Sequence, residues 1–175
     1  WPVTASCGGH VPADVCAHLR QAVDQDSEHF AWVEDPILAD VRLATGALPN
    51  RRLFAQWVYA LVAPFFTLED GVAWADLKAA WAGEAAGPFS QHPLLVSADT
   101  QSALRFDPPT GDVYLVEASQ ILTEAIKRDA WAIIPFADLE PRWKVLRVDS
   151  LSPWDRGLDV DADPLAATLC LGTDD

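Results

Sequence analysis

The residues with the most evident chemical capacity are Ser97-Ala98-Asp99-Thr100-Gln101-Ser102. They follow the apolar run Leu94-Leu95-Val96 and precede Ala103-Leu104, an order that predicts a strand ending in a helix start. Hydroxyls and the unpaired N–H groups of a first helical turn together hold an anion without Lys or Arg. Ordinary capping uses one of the same hydroxyls. Ser97, Thr100, Gln101 and Ser102 are therefore candidate ligand contacts, with capping alone as the alternative.

The other polar constellations carry less. His10, His18, His29 and His92 are scattered, and none forms the i, i+4 pair of a metalloprotease helix. Asp159-Val160-Asp161-Ala162-Asp163 opens like a calcium loop, but Pro164 stands where glycine is needed and Cys170 where a bidentate Glu is needed, so an acidic turn is expected. The sequence contains no G-x-S-x-G elbow, P-loop or dinucleotide fingerprint. No catalytic residue, metal ligand or cofactor is assigned. Cys7, Cys16 and Cys170 match no zinc spacing; Cys16 falls on an apolar helical face, as a buried thiol would, and an oxidising compartment would allow a Cys7–Cys16 bridge.

These residues need a frame, and the hydrophobic pattern supplies one. Trp57 to Phe66 is an almost unbroken apolar run, as expected for a strand covered on both faces. Trp74, Leu77 and Trp81 then recur at helical spacing, and Gly83 suits a left-handed helix end. Earlier, Trp1 to Ser6 reads as a strand, Val15, Cys16, Leu19, Ala22 and Val23 as one helical face, and Phe30 to Glu34 and Asp40 to Ala44 as short strands. Thr45 to Arg52 and Asp107 to Asp112 read as a loop and a turn. Later, Val113 to Val116 predicts a strand and Ala118 to Ile126 a helix. Trp131 to Phe136, Trp143 to Val148 and Leu165 to Leu171 predict further strands. Strand and helix in alternation predict an α/β fold.

Composition narrows the function classes. A chain of 175 residues, half of them apolar, buries a substantial core. The formal net charge of −14, with no basic patch beyond the pairs Arg51-Arg52 and Lys127-Arg128, opposes nonspecific binding to nucleic acid or to anionic membrane. No apolar run reaches the roughly 18 residues that would cross a bilayer.

Several segments together, VYALVAPFFTLEDGVAWADLKAAWAG, the polar loop after Leu95-Val96, and WAIIPFADLEPRWKVLRVDSLSP with the last strand, resemble the type II periplasmic-binding-protein-like domain of bacterial exported proteins. Phosphate-binding PstS-type proteins are the distant relatives, and the closer resemblance is to the version that precedes the metallophosphatase-like domain of CapA-type capsule (poly-γ-glutamate) synthesis proteins. The resemblance implies two small α/β lobes joined by crossing strands with a cleft between them: 1–58 as the first part of lobe I, 59–130 as lobe II, and 131–175 as strands returning to lobe I. It also implies an extracytoplasmic location after removal of an N-terminal export signal. The family's Ser-Gly-Thr signature is represented by Ser97-Ala98-Asp99-Thr100, where the glycine is missing and Asp99 opposes a dianion. The facing contact would come from the turn Gly8-Gly9-His10.

The function expected on this basis is noncatalytic binding of a small polar or anionic solute, or of a cell-surface polymer, in a protein whose metallophosphatase-like domain lies outside this chain. The alternatives are a structural or interaction domain with a degenerate cleft that positions a partner domain, for which the eight tryptophans are the supporting feature, and a phosphate-type transporter's substrate-binding protein. A hydrolase would need His10 or His92 set against a carboxylate within a cleft.

Overall fold

The computed structural model describes residues 1–45, 52–84, 86–104 and 113–173, with the backbone alone at 52–54. The expected turn at Asp107–Asp112 and most of the loop expected over Thr45–Arg52 lie outside the described residues. The chain groups into two units, Trp1–Trp57 with Ala167–Asp175, and Val58–Ala166. The boundary expected after residue 130 falls inside the second unit, because the strand that begins at Trp131 pairs with strands of that unit.

The first unit opens with strand β1 (Val3–Cys7), helix α1 (Ala13–Gln25), β2 (Phe30–Trp32) and β3 (Val41–Thr45). β1 lies between β2 and β3 and is parallel to both, with Val3 opposite Phe30 and Cys7 opposite Leu43. α1 lays Val15, Cys16 and Leu19 over a core that includes Val11 and Leu43. Cys16 is not the buried thiol that its apolar neighbours suggest. It is half-buried and forms a disulfide with Cys7, their Cα atoms 5.9 Å apart. The periodicity locates Cys16 on α1 but does not see that β1 ends beside that same helical turn.

Strand β4 (Arg52–Pro64) is longer than the apolar run that predicts it and passes from the first unit into the second. The second unit continues with β5 (Gly71–Val72), α2 (Trp74–Trp81), β6 (Leu94–Val96), α3 (Ala98–Ala103), β7 (Tyr114–Leu115), α4 (Ile121–Arg128), β8 (Trp131–Pro135), β9 (Trp143–Val145) and β10 (Arg147–Val148). Its sheet runs β7-β6-β8-β4-β9: β6 is parallel to β7 and β8, and β4 is antiparallel to β8 and β9. Both faces are covered. Ala60 and Val62 of β4 join Ile134 and Ala132 of β8 under Ile121 and Ala125 of α4, while Leu61 and Ile133 pair on the opposite face and are equally buried. A strand covered on both sides has no polar positions to alternate, which is why the sequence there is continuously apolar. Trp131 is fully buried, edge-on to Phe89 at 5.3 Å and stacked on His92 at 4.9 Å.

A single side chain fixes the bend after β4. The Lys144 ammonium donates to the carbonyls of Thr67 and Leu68 and pairs with Asp70 at 2.8 Å, so the turn is tied to β9 while Phe65, Phe66 and Leu68 stay exposed. β10 and β5 then form a short parallel ladder, and Asp149 accepts from the Trp74 N–H at the start of α2.

β11 (Ala166–Gly172) returns the chain to the first unit and pairs antiparallel with β3, Leu169 opposite Thr45 and Cys170 opposite Ala44. The acidic segment before it caps turns: Asp159 accepts from Asp161 N–H, and Asp163 accepts from Leu165 N–H at 2.9 Å. Asp163 is buried, and that burial raises its pKa above the ordinary 3.8, partly offset by the Leu165 hydrogen bond.

Two outcomes are expected. Trp131→Ala removes a fully buried indole and its ring contacts and costs about 3–5 kcal/mol, measured by denaturant unfolding. Because folded Asp163 holds its proton more tightly than the unfolded chain, stability falls as pH rises from 3.8 through the folded value. Asp163→Asn keeps an acceptor oxygen for Leu165 and removes the charge, so its unfolding midpoint at pH 7 rises and its decline across that window is smaller than in the parent.

Candidate functional site

Ser97 ends β6 as the cap of α3. Its carbonyl accepts from Gln101 N–H at 2.9 Å, and its Oγ accepts from Thr100 N–H at 3.1 Å while donating to Thr100 Oγ1 at 2.9 Å. Ser97 and Thr100 are both buried, and this closed pair holds the strand-to-helix corner rigid. The corner leaves Ala98 and Asp99 with N–H groups that the helix itself does not use.

That corner forms one wall of a groove of about 720 Å³. Ser97, Ala98 and Asp99 line one side. Leu115 to Ala118 and Gln120 line the next, and Glu124, Lys127 and Arg128 of α4 complete it. The groove lies beyond the carboxyl ends of β6 and β7. The strands that follow β6 in the chain, β7 and β8, flank it on opposite sides. Open α/β sheets bind ligands at such a reversal of strand order, outside the carboxyl ends of the strands.

The charges in the groove are unevenly engaged. Glu124 accepts from Arg128 Nε at 2.7 Å and pairs with Lys127 at 3.5 Å, and the Arg128 hydrogen bond, more than the Lys127 charge, holds the Glu124 carboxyl below the usual carboxylate range. Arg128 also lies over the Tyr114 ring, 5.1 Å from its centroid. Asp99 and Glu117, by contrast, have no ion-pair partner among the described residues. The cations of the groove are thus occupied while two of its carboxylates are not.

Of the sequence-derived candidates, Ser97 lines the groove and Thr100 lies buried behind it. Gln101 is half-buried and Ser102 exposed, and neither lines it. Gly8, Gly9 and His10 belong to the first unit, where Gly8 N–H donates to Leu43 O at 2.8 Å and Val11 N–H returns to Gly8 O at 3.2 Å. Gly9 and His10 are exposed at the apex of this turn. Glu117, Gln120, Lys127 and Arg128 were not foreseen as groove residues. The available signal was positional: Glu117-Ala118-Ser119-Gln120 lies between strand β7 and helix α4, as Ser97 lies between β6 and α3. His92 reaches Asp129, but its Nδ1 bonds the Asp129 carbonyl at 2.9 Å with the carboxylate at 3.4 Å, and its ring packs on Trp131, a role in fixing the start of β8. No cluster of His, Cys, Asp and Glu suited to a metal ion occurs among the described residues, and no helix among them is long and apolar enough to cross a membrane.

The fold agrees with solved structures. A crystal structure of an ABC-type phosphate transport receptor from Vibrio cholerae superposes with a TM-score of 0.73 at 13% identity, covering 98% of this chain and 86% of that one. The fold is that of the type II periplasmic binding proteins. PstS from Borrelia burgdorferi shares it with a TM-score of 0.67 at 10% identity, covering 99% of this chain and 87% of that one. A phosphate ABC transporter substrate-binding protein from Clostridium perfringens, solved with bound phosphate, gives 0.63 at 10% identity over 99% and 86%. No protein-family model matches the sequence, and no curated protein matches it significantly.

The capping pair generates a prediction. Ser97→Ala deletes the acceptor for Thr100 N–H and costs about 1 kcal/mol in denaturant unfolding. Ser97→Asp, which restores an acceptor at the same place, recovers most of that loss.

Proposed function

We propose that the chain is a noncatalytic, extracytoplasmic module that binds a small polar solute or a segment of cell-surface polymer. The observation that carries this reading is the groove at the carboxyl ends of β6 and β7, walled by the Ser97 corner. The phosphate-binding neighbours of the same fold support it, and the Cys7–Cys16 disulfide supports an oxidising compartment. Association with a CapA-type capsule protein rests on the sequence resemblance alone.

Backbone N–H groups of Ala98 and Asp99 and the side chain of Gln120 are the expected donors to the solute. Asp99 and Glu117 weigh against a compact dianion, because an uncompensated carboxylate repels it and the neighbouring cations are held by Glu124. The module therefore favours a solute of low net negative charge over free phosphate. The Gly8–His10 turn is proposed as a ligand contact on the sequence resemblance alone.

Calorimetric titration and thermal shift against phosphate, sulfate, glutamate and short glutamyl peptides test this reading. At least one member is expected to give heat and to raise the melting temperature, with glutamate, of one net negative charge, ahead of phosphate and sulfate. Silence across the whole panel by both methods overturns it. Asp99→Asn with Glu117→Gln should strengthen phosphate binding about fivefold, the scale of removing two nearby, partly screened like charges.

A further inference from the structure

The Cys7–Cys16 bridge has a position that a purely structural staple does not require. Cys7 is the last residue of β1, and Cys16 lies in the first full turn of α1, its N–H bonded to Pro12 O at 3.1 Å. The ring closed by the bridge therefore contains the Gly8-Gly9-His10 turn and the start of α1, and little else. Few other bonds restrain that segment. Gly8 is tied to β3 through Leu43 and Val11 to Gly8, Val11 and Pro12 are buried, Pro12 at the helix start provides no side-chain cap, and Gly9 and His10 stand exposed.

Cys7 and Cys16 are both half-buried residues rather than enclosed ones, and a small thiol or a dithiol protein is the reductant that exchange requires. The third cysteine cannot interfere. Cys170 is 2% exposed, and it sits opposite Ala44 on β3, whereas Cys7 sits opposite Leu43. Adjacent positions along β3 face opposite sides of the sheet, so Cys170 lies on the face away from the bridge and thiol exchange within the chain has no route.

We propose that the Cys7–Cys16 bridge is a reversible redox lever on the Gly8–His10 turn: oxidised, it holds the turn and the start of α1 in order; reduced, it frees them while the rest of the first unit stays folded. Its consequence for solute affinity rests on the binding function proposed above. The step is a thiol–disulfide exchange. A dithiol reductant attacks one protein sulfur, the mixed disulfide is resolved by its second thiol, and two electrons and two protons pass to Cys7 and Cys16 while the reductant becomes a disulfide.

The test is hydrogen exchange on the full chain, oxidised and in the presence of dithiothreitol, with thiol alkylation read by mass spectrometry. The lever predicts alkylation of Cys7 and Cys16 but not Cys170, and at least tenfold faster exchange over residues 8–15, with protection unchanged in β3, β11 and β8. Exchange that is unchanged over 8–15 overturns it. So does loss of protection spread through β3 and β11, which marks the bridge as a staple of the whole unit. The Cys7→Ser, Cys16→Ser double variant should reproduce the reduced pattern without reductant. Solute titration of both forms separates the two readings: if the oxidised protein binds no member of the panel, the binding function fails while the exchange data still decide the lever; if both forms bind equally, the lever does not govern affinity.

Discussion

The constraint on which the rest depends is the burial of β4. Its residues Tyr59 to Ala63 are at most 1% exposed, so every backbone N–H and C=O of that stretch has to be met by a neighbouring strand. β8 supplies partners along one edge, and β9 takes up the pairing where β4 ends. Once those pairings are fixed, the remaining geometry follows. β8 fixes the register of β6, β6 that of β7, and the loops leaving the carboxyl ends of the last two strands are placed around one groove. The dry strand that attracts attention in the sequence contributes no side chain to the groove. It determines where the groove-lining segments are placed.

The groove itself shows a division of labour between buried and exposed polar groups. Ser97 and Thr100 spend their hydroxyls on one another and on a backbone N–H, which makes the corner rigid. The groups not so engaged are Asp99 and Glu117, while the Glu124 carboxylate pairs with Lys127 and Arg128. Fold likeness at 10–13% identity leaves the balance of charge in the groove to the individual side chains.

What was legible in the sequence was what periodicity and local chemistry encode. The apolar run at Trp57, the helical faces of α1 and α4, and the cap at Ser97 each leave a signal within a dozen residues. Long-range proximity leaves none. Nothing near Cys16 reports that β1 ends beside it, and nothing near Lys127 and Arg128 reports that Ser97 lies across a groove from them. The tryptophans illustrate the same limit: Trp81 and Trp143 are buried, whereas Trp154 is 65% exposed against the edge of Phe136. Local composition does not distinguish them. Gln101 and Ser102 were implicated because they share a polar cluster with Ser97, but α3 turns them off the groove wall.

The order in which the chain is made gives the two units unequal histories. The second unit is a continuous segment, complete once Ala166 has been synthesised, whereas the first needs β11, from near the C-terminal end, to cover β3. During synthesis the opening strands and α1 therefore wait, their apolar faces incompletely covered, while the later segment gathers all of its partners. Vectorial folding favours the internal unit first and closes the outer one last. The Cys7–Cys16 ring, by contrast, is local and within reach from the outset, so it can form before the sheet around it is finished.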